Sequence, residues 1–513
     1  MPLSGARKAG ALFMGIDVGT QSARVGVCTP GGDLLATASA PYSTAYPRPG
    51  WAEQDARDWW RAIGDASRAC LGKGRIDPSR IEGISFDATS STGVMTDRQG
   101  EPLRPAILWM DQRAVEEVKA VAATGHPVLK YVGGQDSVEW MVPKALWLKR
   151  HQPDAYAEAR KIVEAADWVA FKLTGGWTAS QCNATCKANY SARDGGWQET
   201  FLAALGAPEL LSRWPEQVAP IGKRIGALTP AAARDMGLRS GIAVAEGGID
   251  AHVGLLGLNA LEPSRMGLII GSSSVTFVLN DQPVYSPRFW GPYPDAILEG
   301  SWLVEAGQTS SGSIINWLVE NLSLSAPGNG TEKESLLARL EEEAAAVPAG
   351  SEGLVMLDYW QGNRTPRRDP HAKGAFFGLT LAHGYRHLVR SAYEGIAFGT
   401  RHIVDTLRED GVPVRTASAG GGGIRSRIWL QLTADICGMT ISVPRFADAC
   451  GVLGSAVAAS VGCGFHGSLR QASAEMVHDE RVVNPAADPS LYAESYQKYL
   501  QLYESTRPLL GER

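Results

Sequence analysis

Apolar runs of strand length alternate along the chain with stretches of helical periodicity. Phe13 to Ile16, Ile81 to Phe86, Gly241 to Ala245, Met266 to Ile270 and Arg415 to Ala419 read as strands. Asp55 to Leu71 and Pro143 to Arg150 carry apolar residues at helical spacing. That alternation predicts α/β layers. Two of the strands end alike. Gly15-Ile16-Asp17-Val18-Gly19-Thr20-Gln21-Ser22 and Gly267-Leu268-Ile269-Ile270-Gly271-Ser272-Ser273-Ser274 each run from an apolar strand into a Gly-hydroxyl turn. Each is followed by β-branched residues that read as a returning strand, Ala23 to Val27 and Val275 to Val278. The pair suggests a duplication, one copy per lobe. A first lobe is expected over 7–258 and a second over 259–467. A helical tail is expected over 468–513, packed on the lobes.

Smaller segments have simpler readings. Asn321 to Gly353 reads as an accessory surface element. Within it Pro327-Gly328-Asn329-Gly330 is a loop, Thr331 with Glu334 a capping box, and Glu341-Glu342-Glu343 a solvated helix face. Tyr492, Tyr496, Tyr499 and Tyr503 fall at helical spacing and predict a core-facing aromatic stripe.

The 513 residues suffice for two or three large domains. A net charge of −5, with Lys and Arg dispersed, lacks the basic field that nucleic acid would need. No apolar run reaches membrane-spanning length, and a soluble, cytoplasmic protein is expected. Seven scattered cysteines make no disulfide framework and suit a reducing compartment. Cys182 and Cys186 are the one close pair. No His stands near them in sequence, so they read as two buried thiols.

The turns carry the candidate chemistry. Gly, Thr and Ser in both loops offer N–H groups and hydroxyls to phosphate oxygens. Asp17 would repel a phosphate unless a divalent cation lay between them, which makes it a candidate Mg²⁺ ligand. Asp250 sits on its own turn, Gly247-Gly248-Ile249-Asp250, between the two loops. Together these outline a two-lobed phosphoryl-transfer enzyme. Neither loop continues into Gly-Lys-Ser/Thr, so a P-loop fold is disfavoured. Gly420-Gly421-Gly422-Gly423 follows a strand and precedes a helix at Ile428 to Ile436, a plausible seat for a flat ring. His252 reads as a packing neighbour of Asp250.

These loops, with the run Cys450-Gly451-Val452-Leu453-Gly454-Ser455-Ala456, resemble the FGGY carbohydrate kinase family over nearly the whole chain. Further segments resemble its ribulokinase branch: Phe86-Asp87-Ala88-Thr89, Trp109-Met110-Asp111-Gln112-Arg113, Thr185-Cys186-Lys187-Ala188-Asn189-Tyr190, Trp290-Gly291-Pro292-Tyr293, Glu305-Ala306-Gly307-Gln308 and Gly362-Asn363-Arg364-Thr365-Pro366. The resemblance implies an α/β fold of two actin-like ATPase (ribonuclease H-like) lobes with a catalytic cleft between them. It implies ATP and Mg²⁺ as cofactors and a ketopentose as acceptor, with D-ribulose the expected sugar. L-ribulose, xylulose and an erythritol-like polyol are alternatives, and a catalytically silent sugar-binding regulator is the non-enzyme reading. By position Asp250 matches the catalytic base, and Ala88, Lys187, Asp250 and Glu305 the sugar pocket. Gly19, Thr20, Gln21 and Ser22, with Gly271, Ser272, Ser273 and Gly312, match the phosphate side. Gly421, Gly422 and Ser426 match the adenosine side. Asp17 and Asp250 are the expected metal ligands. Ser272 stands where much of the family has Thr, and Ser426 where many members have Asn. Expected partners are the sugar and ATP, with no nucleic acid and no membrane; a homodimer is allowed for.

Overall fold

The computed structural model describes residues 10–321 and 333–510. The loop at Pro327 to Gly330 and the capping box of Thr331 with Glu334 lie outside the described residues. The chain forms two compact units. The first holds residues up to 261 together with 279–304 and 449–478; the second holds 262–278, 305–448 and 479–513.

The first unit is built on a twisted sheet. Its central strand β1 (Leu12–Val18) turns back through β2 (Ser22–Cys28) to β3 (Leu34–Pro41), both pairings antiparallel. After helix α1 (Ala56–Gly74), β4 (Ile81–Ala88) pairs parallel to β1. Helices α2 (Met141–His151) and α3 (Gln181–Lys187) follow, then β5 (Arg224–Ala227), β6 (Ala243–Ala245) and β7 (Gly248–Ile249). The strand order is β5-β6-β4-β1-β2-β3, with β7 also parallel on β4. Helix α4 (Asp250–Gly257) starts directly from β7. Asp55 caps α1 by accepting from the Arg57 N–H at 2.9 Å, and Trp59, Ile63, Ala66 and Cys70 form its buried stripe.

The second unit repeats the plan. β8 (Arg265–Ile270) turns back antiparallel through β9 (Ser274–Asn280), and β10 (Trp302–Gln308) leads to α5 (Gly312–Asn321). Helices α6 (Lys333–Ala345) and α7 (Tyr385–Glu409) precede β11 (Thr416–Gly420), which pairs parallel to β8. Helix α8 (Arg427–Cys437) and β12 (Thr440–Pro444) come next, then α9 (Cys450–Gly462), β13 (Asp479–Val483) and α10 (Ala493–Thr506). The order is β10-β9-β8-β11-β12-β13. The hairpin-plus-parallel-strand plan is therefore present twice, as the paired loops predict.

The two spatial units interleave along the sequence. α9 groups with the first unit, because it is apolar on every face and buried nearly throughout. Glycines of α9 and of its neighbours β1 and α4 let backbones meet: a Cβ on Gly15 would lie 2.0 Å from the Val452 carbonyl oxygen, one on Gly454 2.1 Å from that of Val253, and one on Gly257 2.1 Å from that of Cys450. The expected tail over 468–513 is divided. Residues to His478 stay with the first unit, while β13 pairs with β12 in the second. The tyrosine stripe of α10 is buried as predicted, and its hydroxyls reach Asp405, Asp358 and Asp369 at 2.7 to 3.0 Å. All seven cysteines are buried and unbridged. Among the described residues no helix is long and apolar enough to cross a membrane.

Candidate active site

In the first unit, strand register assembles a rung of carboxylates. Parallel pairing sets Asp17 of β1 opposite Asp87 of β4, and Ile249 of β7 opposite Ala88. Asp250 is the next residue and the first of α4. The strand ends thus deliver three carboxylates to the carboxyl edge of the sheet, where α/β folds bind ligands. Asp87 is fully buried and accepts a hydrogen bond from the Ser455 hydroxyl at 2.8 Å. Gly451 leaves room: a Cβ there would sit 3.3 Å from Asp87 Oδ2 and 3.4 Å from Asp17 Oδ2.

The electrostatics follow from this crowding. Burial, then the charges of Asp17 and Asp250, hold the Asp87 carboxyl well above the ordinary range. Burial raises Asp17 too, opposed by Arg24, whose guanidinium stands 3.8 Å away. Asp250 is pushed up to about 7, by burial first and by Asp17 second; the Ala251 N–H and Lys187 pull it down. Hard oxygen donors that repel one another fit a divalent cation such as Mg²⁺.

The first loop is tied down from behind. Gly19 N–H bonds the Ser22 carbonyl at 3.1 Å, closing the turn. Tyr42 donates its hydroxyl to the Gly19 carbonyl, Gln54 donates to that of Thr20 at 2.7 Å, and the Tyr42 N–H bonds that of Gln21 at 3.1 Å. The Trp109 indole donates to the Thr20 hydroxyl at 3.1 Å, which leaves the hydroxyl proton for an outside acceptor.

The sugar-side candidates divide between the units. Ala88 ends β4, fully buried. Lys187 ends α3, also buried, with its ammonium 5.0 Å from the Trp140 ring and 5.5 Å from that of Tyr293. Its charge acts on Asp250, so these two belong to one locale of the first unit. Glu305 lies in the second unit, buried on β10. Behind α3 lies an acidic network. Glu164 is pushed up to about 8 and Asp167 to about 7, both chiefly by burial. Asp167 accepts the Ser180 N–H at 3.0 Å, and the Ser180 hydroxyl donates to the Gly247 carbonyl at 2.8 Å. The network therefore buttresses the turn that carries Asp250.

The second unit holds a cavity of about 510 Å³ lined by Gly271, Ser272, Gly312, Gly422 and Ser426 with Tyr393, Arg425, Trp429 and Glu341. Five of the predicted nucleotide-side residues meet there; Gly421 and Ser273 stand in the adjoining turns. The second loop folds onto the start of α5, the Ser311 N–H bonding the Ser272 carbonyl at 2.9 Å and the Gly312 N–H that of Gly271 at 3.1 Å. A Cβ on Gly312 would meet the Gly271 carbonyl oxygen at 2.5 Å, so glycine is required. Gly421 adopts φ +83°, and a Cβ there would lie 2.6 Å from the Ile270 carbonyl oxygen. Ser426 is the N-cap of α8, accepting from the Trp429 N–H at 3.2 Å. Glu341 corrects its surface reading: its carboxylate takes the Tyr393 hydroxyl at 2.7 Å and lines the cavity.

Sequence reasoning passed over Tyr42, Gln54 and Trp140, and gave no role to Trp109 or Ser455 within their recognised segments; each acts across a long sequence separation. Asp87 stood inside a recognised segment, and its one signal was its place at a strand end like that of Asp17. His252 is buried, consistent with its reading as a packing residue. It lies against Cys182 and Cys186, and the three are buried together.

The comparisons agree over both units. Residues 12–257 match the model of the FGGY family of carbohydrate kinases, N-terminal domain, and 266–463 that of its C-terminal domain. The chain is 33% identical to the human FGGY carbohydrate kinase domain-containing protein, covering 99% of this chain and 98% of that one. It is 29% identical to a D-ribulokinase of Saccharomyces cerevisiae, covering 85% and 69%. Among solved structures, xylulose kinase from Rhodospirillum rubrum is 27% identical with a TM-score of 0.83, covering 97% of this chain and 99% of that one.

Proposed function

The chain belongs to the FGGY family of carbohydrate kinases, with that family's actin-like ATPase fold, and from this premise we propose that it phosphorylates a ketopentose with ATP, converting D-ribulose to D-ribulose 5-phosphate. One observation carries the reading. A buried cation, Lys187, and a carboxylate held near neutrality, Asp250, share one locale of the first unit beside two aromatic rings. That combination suits a small polyhydroxyl acceptor. The ammonium donates to sugar oxygens, the rings cover its C–H faces, and the carboxylate takes a proton.

Sugar alcohols are very weak acids, so the hydroxyl is not ionised first. In a loose phosphoryl transfer the bond to the leaving oxygen of ADP is largely broken before the acceptor oxygen bonds phosphorus. Asp250 orients the hydroxyl and takes its proton late. Thr20 and Ser272 present hydroxyls to phosphate oxygens, and the Gly422–Ser426 turn seats the adenosine. Asp17 and Asp250 would hold Mg²⁺, which neutralises phosphate charge when bound. Asp87, with Ser455 behind it, positions Asp17.

The yeast D-ribulokinase supports the choice of sugar, and the bacterial xylulose kinase favours the nearest rival. A coupled ADP-release screen over D-ribulose, L-ribulose, xylulose, erythritol and glycerol tests it. D-Ribulose should give the highest kcat/KM. Glycerol should be poor, because it leaves buried partners of the missing hydroxyls unpaired. Glycerol used as well as D-ribulose would overturn the pentulose reading; ADP release with no sugar would overturn the kinase reading.

A further inference from the structure

We infer that Cys182, Cys186 and His252 form a binding site for a soft divalent cation, zinc by its donor chemistry, set behind the sugar-side residues. Cys182 and Cys186 stand one helical turn apart on α3 and so share a face. His252, in the first turn of α4, meets that face. The two Sγ atoms and a ring nitrogen all lie within 4.8 Å of one another. A tetrahedral zinc with bonds of about 2.3 Å to sulfur and about 2.0 Å to nitrogen sets its donors about 3.5–3.8 Å apart. Closing the gap takes about 1 Å of side-chain movement, within reach of χ1 adjustments.

The surroundings favour an ion over chance proximity. All three side chains are buried, Cys182 and Cys186 fully and His252 at 1% exposure. The β7 backbone walls the cluster: a Cβ on Gly248 would lie 3.1 Å from Cys182 Cβ, 3.3 Å from its Sγ and 3.2 Å from Ile221. Two thiolates and an imidazole are a soft set, whereas the rung of Asp17, Asp87 and Asp250 offers hard oxygens. One unit thus separates two cations by donor type. Three protein ligands leave the fourth position to a water. Burial means that the ion is taken up as the chain folds. Its consequence is mechanical. Cys186 immediately precedes Lys187, and His252 follows Asp250 by two residues. A bound ion ties the end of α3 to the start of α4, and so fixes the two residues given the sugar.

Cobalt(II) is the probe. The full chain, purified from cells grown in cobalt-supplemented medium and stripped of loose metal by gel filtration, should retain one equivalent. It should show thiolate-to-cobalt charge-transfer absorption and the strong visible bands of tetrahedral cobalt. Cys182→Ala/Cys186→Ala should lose the charge-transfer band and the retained ion, while Cys437→Ala, a buried thiol of the second unit, keeps both. His252→Asn should keep the thiolate band but lower affinity at least tenfold in a chelator competition. Circular dichroism confirms that each variant has folded; if the double variant does not fold, His252→Asn decides alone. No retained cobalt in the wild type, or a charge-transfer band or affinity indifferent to these variants, would overturn the site. Turnover is no part of the readout, so failure here leaves the sugar-kinase reading untouched.

Discussion

Replacing Lys187 with Met should move the acidic limb of the pH profile upward. The Asp250 carboxyl is pushed up to about 7 by burial first and the charge of Asp17 second, with the Ala251 N–H and Lys187 opposing. A base must be ionised to take the sugar proton. So kcat/KM should rise about tenfold per pH unit toward pH 7 and level off above it. At pH 6 the wild type should run at about one-tenth of its plateau. An opposite charge within several ångströms moves a carboxyl by about 1–3 units. Lys187 is the smallest of the four influences, so its loss should shift the limb up by about one unit or less. The plateau should also fall about ten- to a hundred-fold, as one charged hydrogen bond to the sugar is lost. Height and position of the limb are independent, which separates a charge effect from a merely structural one. The assay is initial ADP release from pH 5 to 9 at limiting MgATP and sugar, where kcat/KM reports the free enzyme. A wild-type profile flat to pH 5, or a limb that Lys187→Met leaves in place or lowers, would refute the reasoning.

Asp250→Asn should keep sugar binding by calorimetry but lower turnover by about 10²–10⁴ and abolish the acidic limb; a loss under tenfold would remove it as the base. Asp17→Asn should weaken Mg²⁺ use, so that activity partly returns at high metal; a deficit that no Mg²⁺ concentration relieves would count against its role as a ligand. Glu164 and Asp167 have folded values of about 8 and about 7, above their unfolded ones. From about pH 4 to those values the unfolded chain releases protons that the fold retains, so their contribution to stability falls as pH rises, by at most about 1.4 kcal/mol per pH unit for each group. Urea unfolding at pH 5 and pH 7 should therefore show Glu164→Gln losing less stability across that interval than the wild type; an equal or steeper loss would refute the assignment. Gly454→Ala forces a Cβ to within 2.1 Å of the Val253 carbonyl oxygen and should cost about 1–3 kcal/mol or more, whereas Gly72→Ala, a helical glycine with nothing within 4 Å, should stabilise by up to about 1 kcal/mol. Equal effects in urea unfolding would show that helix propensity, not close approach, governs both.

What could be read from the sequence depended on how far each signal reaches along the chain. The two strand–turn–strand loops are complete within about fifteen residues each, so Asp17, Thr20, Gly271 and Ser272 were legible from spacing and turn chemistry. The helix of Asp55 to Leu71 declared itself by a single apolar stripe at helical spacing. The supports of those loops did not. Tyr42, Gln54 and Trp109 hold the first turn across 23, 34 and 89 residues, and no local pattern marks a tyrosine that donates to a glycine carbonyl. Glu341 misled for the complementary reason. A run of three glutamates has the composition of a solvated face, and only the facing helix shows that one of them takes a tyrosine hydroxyl.

The segment from Cys450 to Ala456 makes the same point for the site itself. Its glycines carry no local signal of their role, and they lie in a helix buried nearly throughout. The missing Cβ of Gly454 admits the backbone of α4, which carries Asp250, and the missing Cβ of Gly15 admits the helix to β1, which carries Asp17. In the same helix Gly451 leaves space beside Asp17 and Asp87, and Ser455 fixes Asp87 by a hydrogen bond. These residues act on the three carboxylates through packing and one hydrogen bond, at a sequence distance of about two hundred residues or more. A Cβ at Gly454 therefore displaces the helix that bears Asp250 as well as loosening the core. Gly454→Ala should lower turnover even where urea shows the protein still folded, and ATP affinity should largely hold, because the cavity proposed for the adenosine belongs to the other unit. If ATP affinity fell in step with turnover, the damage would be global and this helix would not be the part that positions the base.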